Sequence, residues 1–492
     1  MTQLLRTVFA AVALVFAQSA ATGTEPSPHD AAEQPLFDKL IDFGGEIGPT
    51  QVEIGLLPVE AKPGVAAGSA GYTAYLDPDN STGRPILFAF NGGPGASSVF
   101  LHMGLLGPRV VQVPQHPDAP LPGAFAIEPS LRSLLQRVDI VLVDPPGTGF
   151  SKASKAEDGQ IASVKADAFA IADLVRKWLA RHGRGDSPVF LLGESYGTIR
   201  AVAMLEPLRD SAMSVDVRGV MLLGQALNMI ETSQRPDNVV TYPVSLPTLA
   251  AIACYFRKAA IPCTPQEGAR TASAFSQDYL DALFQGRDIN EADKERVAER
   301  LEQLTGIPVA YYLGHNLRIS KERFRTELLR GNGMVLGRYD ARYVAPAPPG
   351  DPELVGPDAF SEISRRMGAA IVPYLRDRLG VSGAGEYREL ALPEGQWSYG
   401  GADSPFADWP FMASFERHAQ SNRCLRLFVG TGMFDLTTTI GAADYLFAQS
   451  DLPADRWRNE TYPGGHVFYS DEAAREKLIA DLDEFIADDP CQ

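Results

Sequence analysis

Five short runs of apolar, often β-branched residues end in glycine or proline turns: RPILFAFNGG (84–93), VDIVLVDPPGTGFS (138–151), SPVFLLG (187–193), RGVMLLG (218–224) and CLRLFVGTG (424–432). Each is an unbroken apolar run, which suits a strand buried on both faces. Helix-patterned segments separate several of them; Val164, Ala168, Ile171, Ala172, Leu174, Val175 and Leu179 recur at helical spacing within residues 161–182. Strands of this kind, alternating with helices, select a mostly parallel central sheet covered by helices on both faces, so the expected fold class is α/β.

The rhythm is not continuous. Residues 51–76 carry short apolar runs with Gly/Pro punctuation, the pattern of antiparallel strands. Residues 235–395 are helix-biased and charged, and sheet-like signal returns only at 424–432 and 457–465, before an amphipathic helix at 472–487. The expected organisation is therefore one α/β core in two parts, 22–234 and 396–492, interrupted by a mainly helical cap insertion over 235–395.

The N-terminus reads as an address. Arg6 precedes the apolar TVFAAVALVFA, and small residues follow at Ala17, Ser19, Ala20 and Ala21. That layout predicts a cleavable secretory signal over residues 1–21, a short anchor being the alternative, and hence a periplasmic or secreted protein. About twenty polar, Pro-rich residues after it are expected to be mobile. No later stretch is long and apolar enough for stable membrane insertion. Four cysteines would meet an oxidising compartment; the favoured pairs are Cys254–Cys263 and Cys424–Cys491, with free buried thiols as the alternative. No cysteine–histidine spacing suggests a metal site, and no cofactor is called for. The formal net charge of −17, with no run of Lys or Arg, argues against a nucleic-acid partner.

Chemistry concentrates at the turns after the strands, where α/β sheets place their sites. Gly193-Glu194-Ser195-Tyr196-Gly197 is a G-x-S-x-G between a strand and a helix. A nucleophile on so sharp a turn needs minimal side chains two residues away on either side. A serine hydroxyl needs a base. In the order serine, acid, histidine, the last of seven histidines, His466 in YPGGHVFY, fits the base, and Asp435 in LFVGTGMFDLTT fits the acid. Read alone, Asp435 would be an ordinary helix cap. The glycines of FNGGPGASS (90–98) can bring backbone N–H groups close to a substrate and, with the amide of Tyr196, form an oxyanion hole.

Taken together, NGGPGASS, VDPPGTGFS, GESYG, GMFD and GGH, in that order, resemble the serine carboxypeptidase family, the carboxypeptidase Y-like branch of the α/β-hydrolase fold. The resemblance implies Ser195 as nucleophile, His466 as base and Asp435 as its orienting acid. It implies Gly93 and Tyr196 as oxyanion donors, and Asn91 and Glu194 as the grip on the C-terminal carboxylate of a peptide substrate. Glu194 can hold a carboxylate only as the protonated acid, which donates a hydrogen bond where the ionised form would repel. An exopeptidase acting through an acyl-enzyme, best at acidic pH, is the activity implied.

Three positions depart from the family pattern: Ala89 replaces a tryptophan, Ala96 replaces a disulfide-forming cysteine, and Leu105 replaces a second acid that shares a proton with the first. The last departure motivates an alternative, an esterase or acyltransferase on the same triad. A catalytically silent binding protein on this scaffold is the third reading, and the intact trio speaks against it.

Overall fold

The computed structural model describes residues 34–491, apart from 46, 80–81, 131–132, 211–213, 235–236, 351–357, 392–394, 396 and 401–408. The expected signal, residues 1–21, lies outside the described residues.

Thirteen strands are described: β1 (Phe37–Asp42), β2 (Pro49–Lys62), β3 (Val65–Leu76), β4 (Ile86–Phe90), β5 (Arg109–Val111), β6 (Ile127–Pro129), β7 (Asp139–Asp144), β8 (Val189–Glu194), β9 (Val217–Leu223), β10 (Met334–Leu336), β11 (Val344–Pro346), β12 (Arg426–Gly432) and β13 (Trp457–Tyr462). Nine form one sheet in the order β1-β2-β3-β7-β4-β8-β9-β12-β13. From β7 to β13 every pairing is parallel. β1, β2 and β3 form an antiparallel meander that joins β7 antiparallel. This is the mostly parallel α/β-hydrolase sheet.

Alternation along each strand explains the unbroken apolar runs. Phe88, Val141, Leu191 and Val220 point into a core shared with the helix Val164–Arg181. Their neighbours Leu87, Ile140, Leu192 and Met221 point into a second core shared with the helix Glu472–Ala487. With both faces covered, no position along these strands can be polar without a buried partner.

A third core is built by residues 242–344, chiefly the helices Thr241–Tyr255, Pro265–Gln285 and Glu291–Thr305. Thr241–Tyr255 is apolar on every side and contains Pro247. It shows no amphipathic stripe because it has no solvent face. The loop after β12 contributes Met433, Phe434 and Leu436 to this core. Phe360, Ile363, Met367, Ile371 and Tyr374 pack instead into the second core, against the sheet.

Both favoured disulfides, Cys254–Cys263 and Cys424–Cys491, are formed. No helix among the described residues is long and apolar enough to cross a membrane. One local expectation is corrected: part of the Pro-rich stretch, Phe37–Asp42, is not mobile but forms the edge strand β1. Its sequence hid this because an edge strand lies half in solvent; Leu40, at its centre, is 59% exposed.

Candidate active site

The turn between β8 and the helix Tyr196–Ala203 holds Ser195 at φ 57° and ψ −124°, a left-handed conformation that a side-chain-bearing residue adopts only when its surroundings impose it. They do so closely. Ser195 N donates to Leu223 O at the end of β9 (2.9 Å), and a Cβ on Gly193 would collide with Gly197 O. The glycine that the turn requires is therefore set by a backbone contact four residues away.

The loop after β4 lies against this turn. A Cβ on Gly92 would sit 2.5 Å from Tyr196 N, so the backbone just before Gly93 is packed directly on the first amide of the helix. The two expected oxyanion donors thus occupy adjoining stretches of backbone. Arg200 fixes the arrangement from beneath: it donates to Asn91 O (2.7 Å) and to Asp167 Oδ2 (2.7 Å), while Tyr196 Oη donates to the same carboxylate (2.9 Å). Where the family's cysteine would stand, Ala96 sits in a backbone pairing with residues 388–391; Ser97 N donates to Glu389 O (2.9 Å) and Ala391 N to Gly95 O (2.8 Å).

Asp435 and His466 leave the ends of β12 and β13 and meet at 2.7 Å through Oδ2 and Nδ1. Asp435 also accepts from Thr437 N (2.6 Å), Thr438 N (3.1 Å) and Thr438 Oγ1 (2.5 Å), so it does cap the following turn as well as engage the imidazole. Burial opposes a charge on His466, but the Asp435 carboxylate and its hydrogen bond outweigh it and hold the imidazole above its usual range. The ring touches Gly224, whose Cβ, if present, would lie 3.0 Å from His466 Cε1. Gly224 follows Leu223, the residue that accepts from Ser195 N, so the imidazole and the serine backbone flank the same two residues. His466 Nε2 is buried and has no hydrogen-bond partner among the described residues.

Glu194 is buried beside this trio. Its carboxyl bonds Asn91 Nδ2 on one oxygen and Tyr469 Oη on the other, the latter at 3.0 Å. Burial raises its pKa and outweighs the opposing pull of the His466 charge and of the two hydrogen bonds. Leu105, in the place of the family's second acid, is buried in the apolar second core. His102 nearby is a packed histidine: its Nε2 bonds Tyr75 Oη (2.7 Å), and burial lowers its pKa to about 3.

Three contributors escaped the sequence reading. Tyr469 lies three residues past His466, inside the same YPGGHVFY window, but nothing in its spacing marks it as a partner of Glu194. Tyr339 comes from the insertion; its carbonyl accepts from His466 N (2.5 Å) and its ring lies 5.4 Å from the imidazole. Lys321, also from the insertion, donates to Thr437 O (2.9 Å) beside Asp435. Neither insertion residue sits in a recognisable motif. Among the described residues, no cluster of His, Cys, Asp or Glu could hold a metal ion.

Residues 64–223 match the family model described as serine carboxypeptidase. The chain is a serine hydrolase that resembles the serine carboxypeptidases. The matched segment of this hydrolase contains the 91–98 loop and the Ser195 turn. Asp435 and His466 lie beyond it, and their place in the site rests on the geometry above. Among solved structures, the chain is similar to the prohormone-processing carboxypeptidase Kex1 of Saccharomyces cerevisiae, with 13% identity, a TM-score of 0.47, and coverage of 89% of this chain and 92% of that one. It is also similar to a proline iminopeptidase of Mycobacterium smegmatis (12%, TM-score 0.34, 92% and 98% covered) and to a thermostable carboxyl esterase of Bacillus coagulans (12%, 0.36, 89% and 98%). No curated protein matches significantly.

Proposed function

We propose that the serine hydrolase is a carboxypeptidase that removes the C-terminal residue of peptides through an acyl-enzyme. Ser195 Oγ attacks the carbonyl of the last peptide bond while His466 Nε2 takes its proton, and Asp435 holds Nδ1–H so that Nε2 is the free base. Gly93 and Tyr196 amides receive the oxyanion. The C–N bond then breaks as His466 returns the proton to the leaving amine, and a water molecule releases the acyl group by the same route. Asn91 and protonated Glu194 hold the terminal carboxylate, which makes the enzyme measure from the chain end.

The observation that carries this reading is the buried Glu194, bonded to Asn91 and set beside the triad with its pKa raised. Apolar surroundings can keep it protonated without the second acid that Leu105 replaces. The two titrations define a window. Glu194 must keep its proton, so carboxylate binding is lost as pH rises through its pKa. His466 must be neutral, so turnover is lost as pH falls through its pKa. A neutral Glu194 also removes one of the charges that raise His466, which keeps the base available at lower pH. Activity is confined between these two titrations, and an acidic optimum requires that a neutral Glu194 release His466 from its raised value. The signal-like N-terminus and two disulfides support export to the periplasm or beyond. The 242–344 part of the 235–395 segment, which has its own core, acts as a cap beside the triad.

The test is incubation of the full chain with one peptide as free acid and as C-terminal amide, read by mass spectrometry from acidic to neutral pH. Stepwise loss from the free acid alone is expected, and Ser195→Ala abolishes it, by about 10⁴-fold or more. Equal cleavage of the amide, or hydrolysis of a neutral ester with no action on any free acid, overturns the assignment in favour of the esterase reading.

A further inference from the structure

The strands β10 and β11 form a small hairpin within the insertion, and its loop, Gly337–Tyr343, reaches both halves of the Asp435–His466 pair. On the acid side, Leu436 N donates to Arg338 O (3.1 Å) and Ala341 N donates to Phe434 O (3.0 Å), so the residues on either side of Asp435 are each tied to the loop. On the base side, His466 N donates to Tyr339 O (2.5 Å), and a Cβ on Gly465 would collide with that same carbonyl. Three loop residues, Arg338, Tyr339 and Ala341, thus bracket the acid and the base through main-chain groups alone.

One side chain holds the bracket in shape. Arg342 donates to Asp340 through Nε (3.0 Å to Oδ1) and Nη2 (2.8 Å to Oδ2), a planar fork on a carboxylate that is 1% exposed. Its guanidinium carbon lies 5.3 Å from the centroid of the Phe434 ring, next to the acid, and its Nη1 lies 3.5 Å from Asp471 Oδ2, five residues past the base. Asp471 in turn caps the closing helix, accepting from Ala474 N (3.1 Å). An apolar pair of the same volume would fill this space as compactly. What the fork adds is a fixed direction, with contacts on its own loop, the acid's neighbour and the segment after the base.

We propose that Arg342 is a positioning residue for catalysis: with Asp340 it sets the hairpin loop that fixes the distance between Asp435 and His466. The inference rests on reading Ser195, Asp435 and His466 as the triad. A loop free to shift moves the imidazole relative to the serine, which acts on the chemical step and not on carboxylate binding at Asn91 and Glu194.

The experiment compares Arg342→Met, Arg342→Lys and Asp340→Asn with the wild type and with Arg376→Met, a control at an exposed arginine. Steady-state kinetics use a free-acid peptide. The low-field Nδ1 proton of His466 is followed by NMR, and labelling of Ser195 by a phosphonate is timed. Arg342→Met is expected to lose about tenfold to a hundredfold in kcat, with KM within about twofold. Labelling should slow in step, and the His466 proton should shift or broaden. Arg342→Lys recovers part of the loss, and the control matches wild type. If Arg342→Met folds and keeps wild-type kcat, labelling rate and proton signal, the proposal is wrong. If Arg342→Met is insoluble, Asp340→Asn and Arg342→Lys decide by the same readouts. A wild-type protein that neither turns over peptide nor takes the label overturns the triad reading instead.

Discussion

Ser195 and the Asp435–His466 pair sit at the same rim of the sheet but are held there by different parts of the chain. The serine is fixed by its immediate surroundings: the end of β8, the start of the next helix, Leu223 on the adjacent strand, and a glycine that a backbone oxygen excludes from growing. The acid and base are fixed from far away in sequence, by the hairpin loop 337–343 of the insertion and by Lys321 at Thr437. The serine turn therefore draws on its own glycine and on the ends of the two strands that flank β8. The Asp435–His466 half depends on contacts between segments about a hundred residues apart, and the insertion's own core runs through Phe434 and Leu436 on either side of Asp435.

The largest effect expected from breaking this comparison is at the acid. Asp435→Asn keeps the size of the side chain but can present an N–H to His466 Nδ1, favouring the wrong tautomer; kcat should fall by about 10⁴-fold with the folded state retained. Burst kinetics with an activated ester and circular dichroism of the same sample check both halves of that statement. On the serine side, the corresponding weak point is stability. Asp167→Ala leaves the Arg200 guanidinium buried and unpaired beneath Asn91 and Tyr196, and about 3–5 kcal/mol of unfolding free energy should be lost. Urea titration reads it directly, and a loss below about 1 kcal/mol would mean that the pair is dispensable to the turn.

The same contrast explains what the sequence could disclose. The strands were legible because burial on both faces leaves little room for polar residues, and the GESYG turn because Gly193 answers to Gly197 O inside the motif itself, although Gly197 answers to Phe90 O on another strand. Asp435 and His466 could be picked out by chain order and by their glycine-flanked loops after strands. Tyr339, Lys321 and Tyr469 were not legible: each contributes a carbonyl, an ammonium or a hydroxyl whose partner lies on another segment, and no local pattern encodes such a meeting. The edge strand Phe37–Asp42 was hidden for the opposite reason, since its exposure leaves it without an apolar pattern.

Two substitutions at the carboxyl beside the triad sharpen the comparison with smaller effects. Glu194→Gln replaces a titrating donor by a permanent one. The rise of KM at high pH should disappear, and because Glu194 is already neutral where the acid limb is read, the acid limb of kcat should stay in place. A pH profile of kcat and KM measured separately tests both, and an unchanged KM profile would sever Glu194 from carboxylate binding.

Tyr469→Phe predicts the subtler outcome. The hydroxyl donates to Glu194 Oε1, and a donor stabilises the ionised carboxylate more than the neutral acid. Its loss should therefore raise the pKa of Glu194 further, so the protonated grip persists to higher pH and the onset of the KM rise shifts upward by less than about one unit. At acidic pH, where Glu194 is already protonated, KM should change by no more than about tenfold, the worth of one neutral hydrogen bond. A shift of the KM profile toward lower pH would mean that Tyr469 accepts from a protonated Glu194, reversing the direction of the bond and making the tyrosine, not burial, the group that keeps the acid neutral.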